Sequence, residues 1–506
     1  MNTMNFVNAL ENTLNRTRTE NGAATLYTTG SDCLDFFSTA GAMRHNDDES
    51  IWKSFFKAYC ENPSYALKIL FYARDIRGGL GERKIFRTIL QRLADQHPND
   101  VLENLKYISE YGRWDDYLCL LDTKLKNDVA DCLFSQFRDD LVAIRDGKDS
   151  ISLIGKWLPS INTSSKETVR YAKILCRCWH LKTATYRKAL STLRKKIEII
   201  ENNLREKDYT FDYSKQPSRA MLKYRDAFIR NDKNRYIEYL ESVNSGKTTM
   251  HTGTLYPYDI VRACNELIYK PYDSNINEKR KSLDTTWRAL KDYTRGKNAL
   301  CVVDGSGSMY SYGEGIRPID VAVSLGIYFA ERNRGQFQNK FITFSENPRL
   351  VNIPKDVDIV DKVKYCFEFN EVADTNIQKV FELILETAVK YHIPQNEMPE
   401  TVYIVSDMEW NVCTYDADMT NFEYAKKLYE RNGYRLPQLV FWNVNKIRTQ
   451  HPVHMNELGV ALVSGCSPSI FELVMTDDMN PKTFMDNIIL SERYEPIHAW
   501  NDKNSQ

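Results

Sequence analysis

The stretch Ala299–Met309 reads ALCVVDGSGSM, and it decides the fold class of the C-terminal part of this chain. Its first five residues are apolar, which is typical of a strand buried in a parallel sheet. Asp304 ends this run, and Ser306 and Ser308 follow with a glycine before each. Ligands of open α/β sheets bind at the carboxyl ends of the strands, and three oxygen donors in a tight loop suit a hard divalent cation. The stretch therefore predicts a metal site at the end of a buried strand.

From Ala299 to the C-terminus, apolar strand-like runs alternate with amphipathic helical runs. This alternation predicts an α/β domain with a doubly wound, mostly parallel sheet. Asp407 ends a later strand, TVYIVSD, and Thr375 precedes a helix. In the usual strand order the first and fourth strands are neighbours, so Asp304 and Asp407 are expected to meet in one crevice. We predict Mg²⁺ as the cofactor, with Mn²⁺ or Ca²⁺ as alternatives.

The chain before this point has a different pattern. From about residue 50 to residue 295, apolar residues recur at helical spacing, with short breaks and without clear strand signals. This pattern predicts an α-helical repeat body, although no strict sequence period is present. The predicted domains are therefore a helical body over residues 1–296 and an α/β domain over residues 297–506.

Composition limits the classes of partner. The 506 residues contain 68 Lys+Arg and 68 Asp+Glu, so the net charge of zero does not indicate a nucleic-acid or membrane partner, although it can hide local basic patches. No segment approaches the roughly 20 apolar residues of a membrane span, and the polar N-terminus lacks a signal peptide. The 11 cysteines form no CxxC pair, so reduced thiols and a cytoplasmic location are expected.

Three basic segments of the helical half are candidates for RNA binding: residues 70–83 with a glycine-rich break, 183–196 and 217–228. Arginines beside free backbone N–H groups, and basic residues interleaved with aromatic ones, suit phosphates and unpaired bases. The alternatives are a helix corner with paired arginines, a solvated helix face, and core packing of long side-chain stems. The candidate RNA-binding residues are Arg74, Arg77, Arg83, Lys188, Arg194, Lys195, Arg219, Lys223 and Arg225.

Four motifs in the helical half resemble the family called domain of unknown function 2828, whose members end in a von Willebrand factor A-like domain. They are GGLGER (78–83), KWLPSINTSS (156–165), PSRAMLKYRDAFI (217–229) and TGTLYPYDIV (252–261). The architecture of that family is similar to the TROVE proteins, including the Ro autoantigen, in which a von Willebrand factor A domain closes a ring of helical repeats. Those proteins bind small noncoding RNAs on the outer ring and RNA ends in the central hole. The resemblance implies a TROVE-like, HEAT-like body that binds small noncoding or single-stranded RNA.

Residues 297–490 resemble the von Willebrand factor A domain with its metal-ion-dependent adhesion site (MIDAS). The matching positions are Asp304, Ser306, Ser308, Thr375 and Asp407, whereas Asp374 replaces the usual glycine before the threonine. The resemblance implies that these residues hold the metal directly or through water, and that a carboxylate of a protein partner completes its coordination. The alternatives are an ordinary strand-to-helix turn and a retained fold without metal.

The sequence favours a non-enzymatic RNA-binding or ribonucleoprotein scaffold. The alternative is a protein-interaction module whose metal site captures a partner's carboxylate. A metal-dependent hydrolase is disfavoured because no general base accompanies the metal-site residues. The eight histidines form no HExxH motif, and no P-loop or GxSxG elbow is present.

Overall fold

A computed structural model describes most of the chain. The described residues are 6–197, 199–270, 272–294, 296, 298–310, 315–345, 347–369, 376–412, 419–472 and 478–503.

The first part of the chain is almost entirely helical, with one short two-stranded hairpin near its start. The hairpin consists of β1 (Arg16–Arg18) and β2 (Ala24–Leu26), which pair antiparallel. The helices are α1 (Phe6–Leu14), α2 (Asp32–Ala40), α3 (Asp48–Glu61), α4 (Pro63–Arg74), α5 (Arg83–Gln96), α6 (Pro98–Asn104), α7 (Ile108–Tyr111), α8 (Lys126–Arg145), α9 (Ile154–Trp157), α10 (Lys166–Cys178), α11 (Thr183–Lys196), α12 (Ile200–Glu206), α13 (Ser218–Asn231), α14 (Lys233–Asn244), α15 (Pro257–Ile268) and α16 (Ile276–Arg288).

The second part forms a six-stranded sheet with helices on both sides. Its strands are β3 (Ala299–Asp304), β4 (Lys340–Phe344), β5 (Leu350–Asn352), β6 (Thr401–Ser406), β7 (Gln438–Asn443) and β8 (Val460–Ser464). Its helices are α17 (Pro318–Arg332), α18 (Ile359–Glu368), α19 (Ile377–Lys390), α20 (Asn421–Arg431), α21 (Pro481–Ile489) and α22 (Trp500–Lys503).

The strand order of this sheet is β5-β4-β3-β6-β7-β8, and β5 alone runs antiparallel to its neighbour. The order reverses between β3 and β6, which is the switch point where doubly wound sheets bind ligands. The predicted fold class, a helical body joined to a doubly wound, mostly parallel sheet, is confirmed.

Both faces of the sheet are buried, and each face has its own partners. Leu300 and Val302 of β3 pack with α19 and α20 on one side. Cys301 and Val303 belong to a larger core on the other side, which continues through α17 and α18 into the helical body. Because both faces of β3 are covered, its first five residues are all apolar instead of alternating with polar ones, and only its last residue, Asp304, is charged.

Residues near each end of the chain contact the other part of the molecule. The hairpin near the N-terminus bridges to Asn411 and His451 of the sheet domain, and α2 packs on β8. Gly41 meets Gly465 so closely that a Cβ on Gly41 would lie 2.6 Å from the Gly465 backbone. At the other end, Arg493 forms an ion pair with Asp75 of the helical body. These contacts hold the body and the sheet against each other.

The outward side of α10 is polar because its apolar residues are used in packing. Ser165 caps the helix by accepting a hydrogen bond from the Thr168 N–H at 3.2 Å. Ala172, Leu175 and Cys176 are buried, which leaves the lysines and arginines of this helix at the surface. In the described part of the chain, no helix is long and apolar enough to cross a bilayer.

Candidate metal centre and basic surface

Asp304 and Asp407 lie at the ends of two adjacent parallel strands. Asp304 is the last residue of β3, and Asp407 directly follows β6. Val303 pairs with Val405 in the register, so both carboxylates emerge at the same edge of the sheet. The first and fourth strands of the sheet, β3 and β6, are therefore neighbours, as predicted. We call the site formed by Asp304, Ser306, Ser308, Asp407 and Glu409 the crevice.

Asp304 is completely buried at 0% exposure, and two donors hold its carboxylate. The Ser406 hydroxyl donates to Oδ2 at 2.6 Å, and the backbone N–H of Ser306 donates to Oδ1 at 2.9 Å. Burial raises the pKa of Asp304, because a charged carboxylate loses its hydration there, while these hydrogen bonds oppose the shift.

Asp407 is less well satisfied. Its Oδ1 accepts a hydrogen bond from the Glu409 backbone at 3.2 Å, whereas Oδ2 is buried without a hydrogen-bond partner among the described residues. Burial, and then the negative charge of Asp304, raise the pKa of Asp407 to about 7. Two buried carboxylates with an unused oxygen form a site that a cation would stabilise.

The first loop adds hydroxyl groups to the crevice. Ser306 and Ser308 lie 3.0 Å apart through their Oγ atoms, and the Ser308 hydroxyl partly opposes the rise in the pKa of Asp407. Ser308 is only half-buried, so the crevice can be reached from solvent. Four of the five predicted metal residues thus come together. The fifth, Thr375, lies outside the described residues, as does Asp374.

Glu409 is a further acidic residue that the sequence reasoning missed. It is 1% exposed, and burial raises its pKa, with a smaller contribution from the charge of Asp407. Its carboxylate accepts a hydrogen bond from the Glu20 backbone at 2.6 Å, which links the N-terminal hairpin to the crevice. The signal was the position of Glu409, two residues after Asp407 in SDMEW.

The donor set of the crevice consists of oxygen atoms. Within the described ranges, no three side chains of histidine, cysteine, aspartate and glutamate converge in an arrangement that could hold a metal ion. A cation here would therefore depend on two carboxylates together with hydroxyl groups, and not on a cluster of three such side chains. Oxygen donors of this kind match Mg²⁺, Mn²⁺ or Ca²⁺ rather than zinc, so the residues fit the predicted metals.

Of the three arginines at the glycine-rich corner, one is buried and two are exposed. Arg74 is 2% exposed, and its guanidinium pairs with Asp116 at 2.7 Å. Arg77 is exposed and donates to the Glu110 carbonyl, and Arg83 lies 3.7 Å from Asp115. For Arg74 the predicted RNA contact is corrected, because a buried, ion-paired guanidinium presents no surface to a phosphate.

The candidates on α13 differ among themselves. Arg219 donates to the Thr254 carbonyl at 3.0 Å and pairs with Asp259 at 3.3 Å. Arg225 is largely buried and donates to the Leu222 carbonyl at 2.8 Å. Lys223 is exposed, and its ammonium lies over the ring of the neighbouring tyrosine. Of the three, Lys223 is the side chain most available to an anion.

Helices α10 and α11 form a strongly basic surface. Residues 163–197 contain ten lysines and arginines and one acid, Glu167. We call these ten the basic surface: Lys166, Arg170, Lys173, Arg177, Lys182, Arg187, Lys188, Arg194, Lys195 and Lys196. Nine are exposed, and Arg194 is half-buried. Among carboxylates of the described residues, only Asp122 forms an ion pair with any of them, at 2.8 Å from Arg170.

A groove runs along α10. The groove is shallow and open to solvent, with a volume of about 410 Å³, and its lining includes Lys166, Arg170, Lys173 and Arg177. These four residues are spaced four, three and four positions apart, so they form a single stripe on the helix. The predicted candidates Lys188, Arg194 and Lys195 belong to the neighbouring helix α11.

Two family models match the chain. Domain of unknown function (DUF2828) matches residues 19–128 and 176–300, and Domain of unknown function (DUF7788) matches residues 298–499. The first match confirms the predicted relationship of the helical body. It includes three of the four motifs, whereas KWLPSINTSS (156–165) lies in the gap between the two matched ranges.

The chain is also similar to individual proteins. Uncharacterized protein L728 of Acanthamoeba polyphaga mimivirus is 28% identical over 520 residues, which covers 95% of this chain and 88% of that protein. The crystal structure of the Deinococcus radiodurans RO (RSR) protein aligns with a TM-score of 0.41 and 12% identity, covering 88% of this chain and 99% of that one. The chain therefore joins a helical body that matches the DUF2828 family to a sheet domain that matches the DUF7788 family.

Proposed function

We propose that this protein is a non-enzymatic RNA-binding scaffold whose basic surface on α10 and α11 follows an RNA backbone. The observation that carries the proposal is the excess of ten cations over one acid within residues 163–197. The chain as a whole has no net charge, so this excess is local. Clustered lysines and arginines bind phosphates because they release the counterions condensed on the nucleic acid.

The geometry of α10 supports this proposal. Lys166, Lys173 and Arg177 are exposed, line one groove, and pair with no carboxylate of the described residues. Their charges therefore remain available to a ligand, in contrast to the charge of the buried Arg74. A row of like charges repels itself, and a bound polyanion would relieve that repulsion. The small noncoding or single-stranded RNA implied by the sequence resemblance is such a polyanion.

A matched pair of charge-reversal variants tests the proposal. The first variant carries Lys166→Glu, Lys173→Glu and Arg177→Glu, and the control carries Lys355→Glu, Lys364→Glu and Lys427→Glu on the sheet domain, where all three lysines are exposed. Both variants change the net charge equally. RNA affinity is measured by fluorescence anisotropy with a labelled RNA, at several salt concentrations.

We expect the α10 variant to bind RNA at least about tenfold more weakly, with a salt dependence reduced by about two in logarithmic slope for three lost phosphate contacts. The control should bind like the unmodified protein. Equal binding by both variants, or equal losses in both, would overturn the proposed interface.

A second proposal concerns the crevice, which we infer holds a divalent cation, Mg²⁺ before Mn²⁺ or Ca²⁺. The supporting observation is the buried, unpartnered Oδ2 of Asp407 beside the buried Asp304. Asp304, Ser306, Ser308 and Asp407 would hold the ion, and Thr375 stays a predicted ligand. A carboxylate of a protein partner could then reach the ion past the half-buried Ser308.

Titration with MgCl₂, monitored by thermal unfolding, tests the cation site. Ligands that bind the folded state raise its stability, so the melting temperature should rise with Mg²⁺ concentration and fall again with EDTA. Asp304→Ala should abolish the rise. A rise that persists in this variant would place the cation elsewhere.

We further propose a reducing, cytoplasmic location. The supporting observation is that the ten cysteines among the described residues are all free thiols.

A further inference from the structure

A half-open cavity of about 890 Å³ lies beside the basic surface. Its walls come from the loop after α9, from α11, from α12 and from the loop after α12. Asn162 lines this cavity, and Thr163, the next residue, lines the groove along α10. The cavity and the groove therefore adjoin. A volume of this size matches the pockets that hold nucleotide-sized ligands.

Arg194 provides a fixed positive charge in the wall of the cavity. Its guanidinium donates to the carbonyls of Gly155 and Leu158 at 2.9 Å and to Ser160 Oγ at 2.7 Å. These acceptors are neutral, and no carboxylate of the described residues pairs with it. Burial lowers the pKa of Arg194, as expected for a cation that has lost water without gaining a counter-charge.

Three more cations line the cavity: Arg187, Lys195 and Arg205. Arg187 and Lys195 are exposed. Arg205 forms an ion pair at 3.1 Å with Glu206, and Glu206 also lines the cavity. Arg187, Arg194 and Lys195 therefore keep their positive charge available, so one side of the cavity attracts an anion.

The remaining lining can accommodate a nucleobase. Phe211, Leu190 and Ile161 contribute apolar surface, and the half-buried Phe211 provides an aromatic ring for stacking. Side-chain amides carry both donors and acceptors, as the edges of unpaired bases do. The amides in the lining are Asn162, Asn202, Asn203 and Gln216.

We propose that this cavity is a binding site for a nucleoside phosphate, and that it takes one unpaired nucleotide of an RNA strand bound along α10. The phosphate lies near Arg187, Arg194 and Lys195, and the base lies against Phe211. The inference rests on the proposed RNA-binding function, because the bound RNA strand supplies the nucleotide. It adds a preference for single-stranded over double-stranded RNA, because a paired base cannot enter the cavity.

Two variants of adjacent residues separate the cavity from the surface charge. Ser191 is exposed and lines the cavity, so Ser191→Trp fills it without changing charge. Thr192 is exposed on the same helix, is not part of the lining, and supplies the control Thr192→Trp. Each protein is titrated by anisotropy with a labelled 12-nucleotide single-stranded RNA and with the same RNA in a duplex. Calorimetry with AMP is run in parallel.

The unmodified protein and Thr192→Trp should prefer the single strand by about tenfold, the value expected for one stacked base. Ser191→Trp should lose this preference while keeping its duplex affinity. Unchanged single-strand binding by Ser191→Trp, with circular dichroism showing a folded protein, would overturn the site.

The two proposals can fail separately. If RNA binds but Ser191→Trp has no effect, the cavity proposal fails and the proposed function stands. If no RNA binds, the proposed function fails, and AMP then decides the cavity: heat of binding that Ser191→Trp removes supports a site for free nucleotides. Absence of that heat overturns the site.

Discussion

The crevice at the sheet and the basic surface of α10 and α11 carry charge in opposite ways. The crevice holds few ionisable groups, but Asp304, Asp407 and Glu409 are almost fully buried and their pKa values are raised. The basic surface holds ten cations, of which nine are exposed to water. Desolvation therefore dominates the energetics of the first region, and summed long-range charge dominates the second.

This difference explains how the two regions can be detected. A buried carboxylate site needs particular residues at the ends of particular strands. The DGSGS loop and the aspartate after the later strand can therefore be recognised in the sequence. A basic surface depends on the number of charges and on the absence of opposite charges nearby, which only the packing of neighbouring helices reveals. Experiments that change salt affect the second region, whereas substitutions that remove a buried charge affect the first.

The largest expected effect is the salt dependence of RNA binding. If about six cations of the basic surface contact phosphates, affinity should fall about 10³-fold between about 50 and 200 mM salt. EDTA should leave the affinity unchanged, because the crevice lies in the sheet domain. Anisotropy titrations at four salt concentrations, with and without EDTA, measure both effects. A salt-independent or EDTA-sensitive affinity would contradict the separation of the two regions.

The next effect concerns a buried cation, Lys446, at the contact between α2 and the sheet domain. Burial lowers its pKa to about 8, whereas the unfolded chain has the ordinary value of 10.5. The ammonium therefore destabilises the fold below about pH 8, and the penalty fades as the pH rises towards 10.5. Lys446→Met should raise the free energy of unfolding at pH 7 by about 3 kcal/mol.

Lys173→Met is the matched control for this prediction, because Lys173 is exposed on the basic surface. It should change the stability by less than about 0.5 kcal/mol. Urea denaturation at pH 7 and pH 9.5 measures both variants. A loss of stability in Lys446→Met would show that the attraction of Asp35 for Lys446 outweighs the cost of burial.

A smaller effect is expected when one carboxylate of the crevice is neutralised. Asp407→Asn keeps an oxygen to accept the Glu409 N–H and removes the charge beside Asp304. Without metal, the variant should be more stable than the unmodified protein by about 2 kcal/mol. With MgCl₂ the order should reverse, because only the unmodified site binds the ion.

Thermal and urea unfolding with EDTA or MgCl₂ measure this reversal, with Asp356→Asn as an exposed control. If Asp407→Asn destabilises the metal-free protein, repulsion between the two carboxylates is not the dominant energy of the crevice.

Much of the fold followed from local patterns. The helical spacing of apolar residues between about residues 50 and 295 predicted the helical body, and the alternation after Ala299 predicted the doubly wound sheet. Residues 218–244 form two helices, α13 and α14, because Asp232 leaves the helical conformation between them (φ −146°, ψ 44°). The hairpin of β1 and β2 was missed, since three-residue strands carry little local signal and this pair docks on the sheet domain.

The sequence by itself determined the class of fold and the location of the crevice. An apolar run that ends in Asp304, followed later in the chain by a second strand-like run that is followed by Asp407, leaves few arrangements other than adjacent parallel strands. Only the tertiary structure decided which charges are exposed. Arg74 and Lys173 are both basic residues within amphipathic helices, so the sequence does not distinguish them. In the structure Arg74 is buried and forms an ion pair with Asp116, whereas Lys173 is exposed to water. Solvation and pairing depend on residues distant in the chain, and they determine whether a charge stabilises the core or remains free to bind a ligand.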